Sequence, residues 1–218
     1  MPNIVVNRRR ALLAGLATAG AGVMGVNVMG GTAAADPYVT RKPLLAGANP
    51  FVTLYEEGRP TAYASVWRVD WSRYGSGAAL VVWTPGGLRV IGDEPRLARW
   101  IEEHFVRHFD EAKALPSWPA VRVERAAVHV RIDPVRGAFA GAGDLTVRIG
   151  DPLDARPVGI ADFPIQGVSH GLSMQLVPCR SASITVGGVA VPGAPAVTWN
   201  EGRPSSSAVT TVHEAWSM

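Results

Sequence analysis

The residues with the most suggestive chemical spacing are Gly167-Val168-Ser169-His170-Gly171, a serine flanked at both two-residue distances by glycine. That pattern matches the nucleophile elbow of serine hydrolases, and Glu201 or Glu214 with His213 follows in the order nucleophile, acid, base. The chemistry needs the serine on a strained turn between a strand and a helix. Here Leu172-Ser173-Met174-Gln175-Leu176-Val177 alternates like a strand, so a polar loop between strands is the expected setting. Cys179, the only cysteine, stands beside Arg180, whose charge favours a thiolate, and close in sequence to His170. Ser169, His170, Cys179 and His213 are therefore the candidate catalytic residues if the chain is a small hydrolase, isomerase or cyclase. Free cysteine is also among the most buried residue types, and a structural thiol is the expectation for Cys179.

His104 and His108 lie four apart in a helical stretch, a spacing that lets two imidazoles reach one ion, with His129 or His213 as a possible third ligand. No glutamate directly follows His104, so this is not the zinc-protease helix motif. Two histidines on an apolar stripe are more often a hydrogen-bonded rim of the core, and neither a metal nor a cofactor is expected. The aromatic residues offer a different chemistry. Tyr63, Trp67 and Trp71 alternate on one strand face, Trp83 sits on a nearby strand, and together they are candidates to line a cavity for a small apolar ligand.

The elements that must carry these groups are mostly strands. Phe51 to Tyr55 and Thr61 to Trp71 flank Glu56-Glu57-Gly58-Arg59 as a hairpin, and Ala78 to Thr84 and Leu88 to Ile91 flank Pro85-Gly86-Gly87. Gly187-Gly188 separates two further alternating runs with a loop that needs positive φ. Between them, Asp93 can cap a helix beginning at Glu94-Pro95. Leu97, Ile101, His104, Phe105, His108 and Ala112 would share one helix face, and Arg99, Glu103, Arg107 and Glu111 would form a solvated i,i+4 ladder on the other. Residues 36 to 50 read as an extended lead-in, Pro192 to Ser207 as a surface loop, and Ala208 to Trp216 as a last strand. The expectation is a mainly β (α+β) fold: an antiparallel barrel or sandwich of about ten strands with one amphipathic helix.

With 47% hydrophobic residues and one cysteine, the 218-residue chain is neither disordered nor a disulfide scaffold. Its formal charge of +3 comes entirely from Arg8, Arg9 and Arg10, because residues 1 to 35 carry no acid and the remainder balances 18 basic against 18 acidic residues. There is no phosphate-binding glycine loop, no paired-cysteine zinc spacing and no basic tract beyond the first ten residues, so nucleic acid is not an expected partner. Charges interrupt every apolar run after Asp36, and no stable membrane span is expected once the front segment is removed.

The three arginines precede an uncharged, Gly- and Ala-rich run and then Thr32-Ala33-Ala34-Ala35-Asp36, the layout of a signal peptide. Arg9-Arg10-Ala11-Leu12-Leu13 resembles the twin-arginine export signal. The resemblance implies recognition by the twin-arginine export machinery through Arg9 and Arg10, cleavage near Ala35, and a secreted or cell-envelope destination for one exported domain, 36 to 218. The hairpin-rich body, with turns such as Asp133-Pro134-Val135-Arg136-Gly137 and Gly141-Ala142-Gly143-Asp144, looks like lipocalin-type or calycin-like barrels. That texture implies binding of a small apolar ligand or cell-envelope component, against the alternatives of a small exported enzyme or a secreted protein-interaction partner.

Overall fold

Four two-residue loops set the frame. Glu57-Gly58, Gln166-Gly167, Gly187-Gly188 and Glu201-Gly202 each have both φ angles positive, the geometry whose twist matches that of the flanking strands. In the computed structural model, which describes residues 42–217, each loop closes a hairpin: Glu56 pairs with Arg59, Ile165 with Val168, Val186 with Val189 and Asn200 with Arg203. The signal-like segment and the expected cleavage point lie outside the described residues.

The strands in chain order are β1 (Lys42–Ala48), β2 (Phe51–Glu56), β3 (Arg59–Ser72), β4 (Gly77–Thr84), β5 (Gly87–Gly92), β6 (Val123–Arg125), β7 (His129–Asp133), β8 (Gly137–Ala142), β9 (Leu145–Pro152), β10 (Arg156–Ile165), β11 (Val168–Val186), β12 (Val189–Ala190), β13 (Ala194–Pro195), β14 (Val197–Asn200), β15 (Arg203–Ser206) and β16 (Ala208–Ser217). The fold is mostly β, as its alternating sequence predicts. One large sheet runs β6-β5-β4-β3-β1-β16-β11-β9-β8-β7, antiparallel except where β5 meets β6. The 19-residue β11 joins its two parts: Val168 to Val177 pair among β10 and β16, while Cys179 to Val186 pair with β9.

Strands β3 and β4 are buried on both faces, so their two residue sets enter different cores. Ala62, Ala64 and Val66 with Leu80 and Val82 pack against Ala140, Val147, Ile149, Cys179 and Ile184, where the two parts of the sheet face each other. Tyr63, Trp67, Val81 and Trp83 pack on the opposite side beneath the helical segment, against Leu97, Trp100, Ile101 and Phe105.

The helix departs from the expectation of one continuous element. Helix α1 (Pro95–His104) stops where Phe105 adopts φ −122° and ψ −68°; a 3₁₀ turn, Val106–His108, and the single-turn helix α2 (Asp110–Lys113) follow. Its cap is Glu94, which accepts from the Arg96 amide at 3.3 Å, while the expected cap Asp93 instead accepts from Ala78 at 2.9 Å and ties the helix start to β4. The Arg99/Glu103/Arg107/Glu111 ladder does not form. Arg107 turns to the buried Glu102, with bonds of 3.0 and 2.7 Å, and Trp118 Nε1 donates to the same carboxylate at 2.8 Å.

Two other expectations are corrected. The Pro/Ser-rich stretch from Pro192 to Ser207 contains the β14–β15 hairpin, not only loop, and the lead-in contains β1. Trp71 does not join the inner face of Trp67, because β3 holds an extra residue between Val69, opposite Gly47, and Trp71, opposite Ala46. That bulge inverts the alternation and leaves Trp71 49% exposed.

Replacing Glu102 by Gln keeps the shape but removes the charge that Arg107 and Trp118 share. The expected loss is about 2 kcal/mol, because hydrogen bonds to charged groups are among the stronger ones and Arg107 is partly screened by water. Chemical denaturation of Glu102→Gln checks it, and an unchanged midpoint would show that the clamp is dispensable.

Candidate functional site

A cavity of about 810 Å³ opens on the aromatic side of the sheet. Its walls follow from strand periodicity. Leu172, Met174, Leu176 and Pro178 project from β11; Val209, Thr211, His213 and Ala215 project from β16; Leu45, Asn49 and Phe51 come from β1 and the chain that follows it. A register irregularity in β10 between Ile160 and Phe163 lets both Arg156/Val158 and Phe163/Ile165 face inward. Trp67, Phe105 and Phe109 close one side, and Glu111 of α2 reaches the space because the helix is broken before it.

The register also gives the cavity a direction. Leu172 lies opposite Ala215 and Ile160, Met174 opposite His213 and Val158, Leu176 opposite Thr211 and Arg156, and Pro178 opposite Val209. Over the roughly 13 Å from Leu172 to Leu176, the neighbours change from apolar to polar, while Pro178 and Val209 beyond them are apolar. Beyond Val209 come Ser205, Ser206 and Ser207, and the rim is the exposed tip of the β14–β15 hairpin, Trp199, Asn200, Glu201 and Arg203. Half of the buried polar residues among those described line this cavity: Asn49, Ser205, Ser206, Ser207, Thr211 and His213. Buried polar groups are costly unless satisfied, so their concentration around one space marks it as a place where polar contacts are made.

Part of the wall is fixed by protein hydrogen bonds. Trp67 Nε1 and Asn49 Nδ2 both donate to Ser65 Oγ at 2.9 Å; Asn49 Nδ2 also donates to the Val66 carbonyl at 2.9 Å, and Thr211 Oγ1 donates to the Asn49 carbonyl at 3.0 Å. Trp67 is further held by Phe105, Phe109 and an edge-on His213, with ring centroids 5.7, 6.4 and 5.6 Å away. The His213 ring nitrogens make no hydrogen bond among the described residues.

Burial pushes the His213 imidazole down to about 4, so it is neutral at physiological pH. The Glu111 carboxyl moves the other way: burial raises it, its own backbone N–H opposes the rise, and nearby Asp110 adds to it. Tyr55, on the same wall, is raised by burial and also by Glu111. Arg156 Nη1 donates to Asp154 at 2.7 Å and to the Pro204 carbonyl at 3.1 Å, and this guanidinium is the main cause holding the Asp154 carboxyl low.

Among the residues singled out from sequence, Trp67 and His213 line the cavity, and Glu201 lies at its exposed rim. Tyr63 and Trp83 are fully covered parts of the adjoining core, and Trp71 is on the outside. Ser169 is exposed at the start of β11, paired with Pro164 in a hairpin, which is not the strand-to-helix geometry of an elbow. His170 is buried, with Nδ1 2.8 Å from the Val168 carbonyl, and lies opposite Ser217, four residues or about 13 Å along β16 from His213. Cys179 faces the other core, and burial pushes its thiol up to about 11, against the activated thiolate. These four residues do not converge. His104 and His108 separate where α1 ends: His108 Nε2 sits 3.1 Å from the Glu103 carbonyl, and His104 lies in a shallow groove beside Tyr74 and Trp100.

Glu111, Asn49, Arg156 and the Ser205–Ser207 run were not singled out from sequence. Glu111 was assigned to a solvated helix face and the serines to a loop, and only the helix break and the added hairpin bring them to the cavity. Arg156 has a detectable local sign, the Asp154-x-Arg156 charge pair before an alternating strand.

The buried neutral His213 yields a signed pH dependence. Between about 6.5 and 4 the unfolded chain binds a proton at His213 that the folded chain refuses, so this contribution is present above 6.5 and declines as pH falls. The full loss is about 3 kcal/mol. Glu111 has the opposite sign, its contribution being full below about 4.5 and declining as pH rises. Comparing denaturation of the wild type and His213→Gln from pH 7 to pH 4 cancels the other groups. The variant should gain relative stability by about 3 kcal/mol across that range, and a constant difference would refute the assignment.

No family model matches the chain, and no curated protein matches it. Among solved structures it is similar to the enduracididine biosynthesis enzyme MppR with HEPES buffer bound, at 9% identity and a TM-score of 0.32, over 83% of this chain and 87% of that one.

Proposed function

We propose that the protein is an exported binding protein whose cavity takes a small, largely apolar ligand. The observation that carries the reading is the 810 Å³ space itself, within the range that accommodates ligands of drug size, walled by Leu45, Phe109, Phe163, Leu172 and Met174 with a few polar groups at one end. Export rests on the sequence: the twin arginines, the mild apolar run and the small residues before Asp36. The dispersal of Ser169, His170 and Cys179 away from His213 removes the particular residue set on which an enzyme reading drew.

Two experiments test the two halves. In titration calorimetry n-decanol should bind the purified 36–218 domain, and Ala215→Phe, which projects a ring into the space beside Leu172, should weaken it at least tenfold while near-UV circular dichroism stays native. Equal binding by both proteins would place the ligand elsewhere. For export, replacing Arg9 and Arg10 together by Lys should leave the chain in the cytoplasm, and unchanged export of that variant would overturn the twin-arginine assignment.

A further inference from the structure

We infer that the ligand is a single-chain amphiphile with an anionic head, seated with its head toward Arg156 and Arg203 and its tail toward Leu172; this rests on the cavity being a ligand site. The direction comes from the strand register, which places apolar side chains at the Leu172 end and hydroxyls and guanidinium groups at the hairpin end.

The sign of the head comes from which cations still have donors to give. Arg156 spends its Nη1 on Asp154 and the Pro204 carbonyl, and its other donors have no acceptor among the described residues. Arg203 makes no side-chain hydrogen bond there, although it faces the same space. Beside Asp154 the two guanidiniums keep donors that no protein acceptor takes, and forked donors suit a carboxylate or phosphate. Glu201 and Glu111 also line the space, Glu201 at the exposed hairpin tip two residues from Arg203, but neither takes a hydrogen bond from either arginine among the described residues, so the guanidinium donors stay open to a ligand. Ser205, buried and with no side-chain hydrogen bond among the described residues, stands between Arg203 and the apolar walls as a further donor.

The test uses decanoate, decanol and decyltrimethylammonium, each below its solubility or micelle limit, on the purified full-length protein at low ionic strength. Decanoate should bind at least tenfold more tightly than decanol, and affinity should rise about threefold to fourfold per methylene from hexanoate to decanoate. Arg203→Gln, at an exposed rim position whose side chain makes no hydrogen bond among the described residues, should weaken decanoate about tenfold and leave decanol unchanged. Equal affinity for decanoate and decanol, or an Arg203→Gln variant that binds decanoate normally, would overturn the anionic head while the cavity reading survives. Preference for the ammonium amphiphile would reverse the charge assignment. Failure of all three chains to bind would remove both the inference and the reading beneath it.

Discussion

Glu102 is an acid in a place where acids rarely go: on the buried side of α1, with its side chain 4% exposed. It is tolerated because three donors converge on it, two from Arg107 and one from the Trp118 indole. Those donors come from different parts of the chain, so one carboxylate ties the end of α1 to the 3₁₀ turn and to the segment beyond α2. Trp118 then meets Tyr63 edge to face at 6.2 Å, which couples the clamp to the middle of β3. A continuous helix would carry Arg107 out to solvent and leave Glu102 uncompensated in the core, a penalty of several kcal/mol. The break at Phe105 is the arrangement that avoids that penalty. Its consequence is the cavity roof, because the break turns Phe109 and Glu111 toward the space that Trp67 and β16 also line.

The two cores divide the work of the fold. Where the two parts of the sheet face each other, the interior is built of Ala, Val, Leu, Ile and the single Cys, with no aromatic residue among its buried members. Small branched side chains allow close face-to-face packing of the strands. Tyr63, Trp67, Trp83, Trp100 and Phe105 all lie on the other side, where a short helical segment must cover a wide sheet. Wide rings span such distances well, yet they cannot fill the area that the helix does not reach. The cavity occupies that area, between the end of the helical cover and the β14–β15 hairpin.

How much of this is legible in the residues depends on whether an element is regular. The Glu57-Gly58 and Gly187-Gly188 hairpins are, because these loops carry their own turn geometry and the flanking residues alternate. Trp67 was placed on the correct face by counting in twos. The same count fails four residues later, since β3 holds an extra residue before Trp71, beside the close approach of Gly47 to Arg68, where any side chain on Gly47 would collide with the Arg68 carbonyl. Counting in turns of 3.6 likewise fails after His104, because the deciding partner of Arg107 is Glu102, five residues back and off the assumed ladder. The Pro192 to Ser207 stretch misleads for another reason: its composition is that of a loop, but Pro204 and the three serines after it are buried by contact with distant strands.

The departures from regularity are also what supplies the polar part of the site. Of the polar groups lining the cavity, Glu111 follows a helix break, Arg156 opens a strand whose alternation later slips, and Ser205 and Arg203 belong to a hairpin hidden in a loop-like sequence. The regular strands β11 and β16 contribute mainly the apolar walls, because residues repeating every second position on an inward face are selected for burial. Only His213 and Thr211 break that rule, and Thr211 is already engaged with Asn49. A neutral imidazole whose ring nitrogens make no hydrogen bond among the described residues therefore stands midway along the cavity, between the apolar neighbours of Leu172 and the polar neighbours of Leu176. It can either donate or accept at no cost in charge, which suits the boundary between the two halves of an amphiphile better than either end of the space.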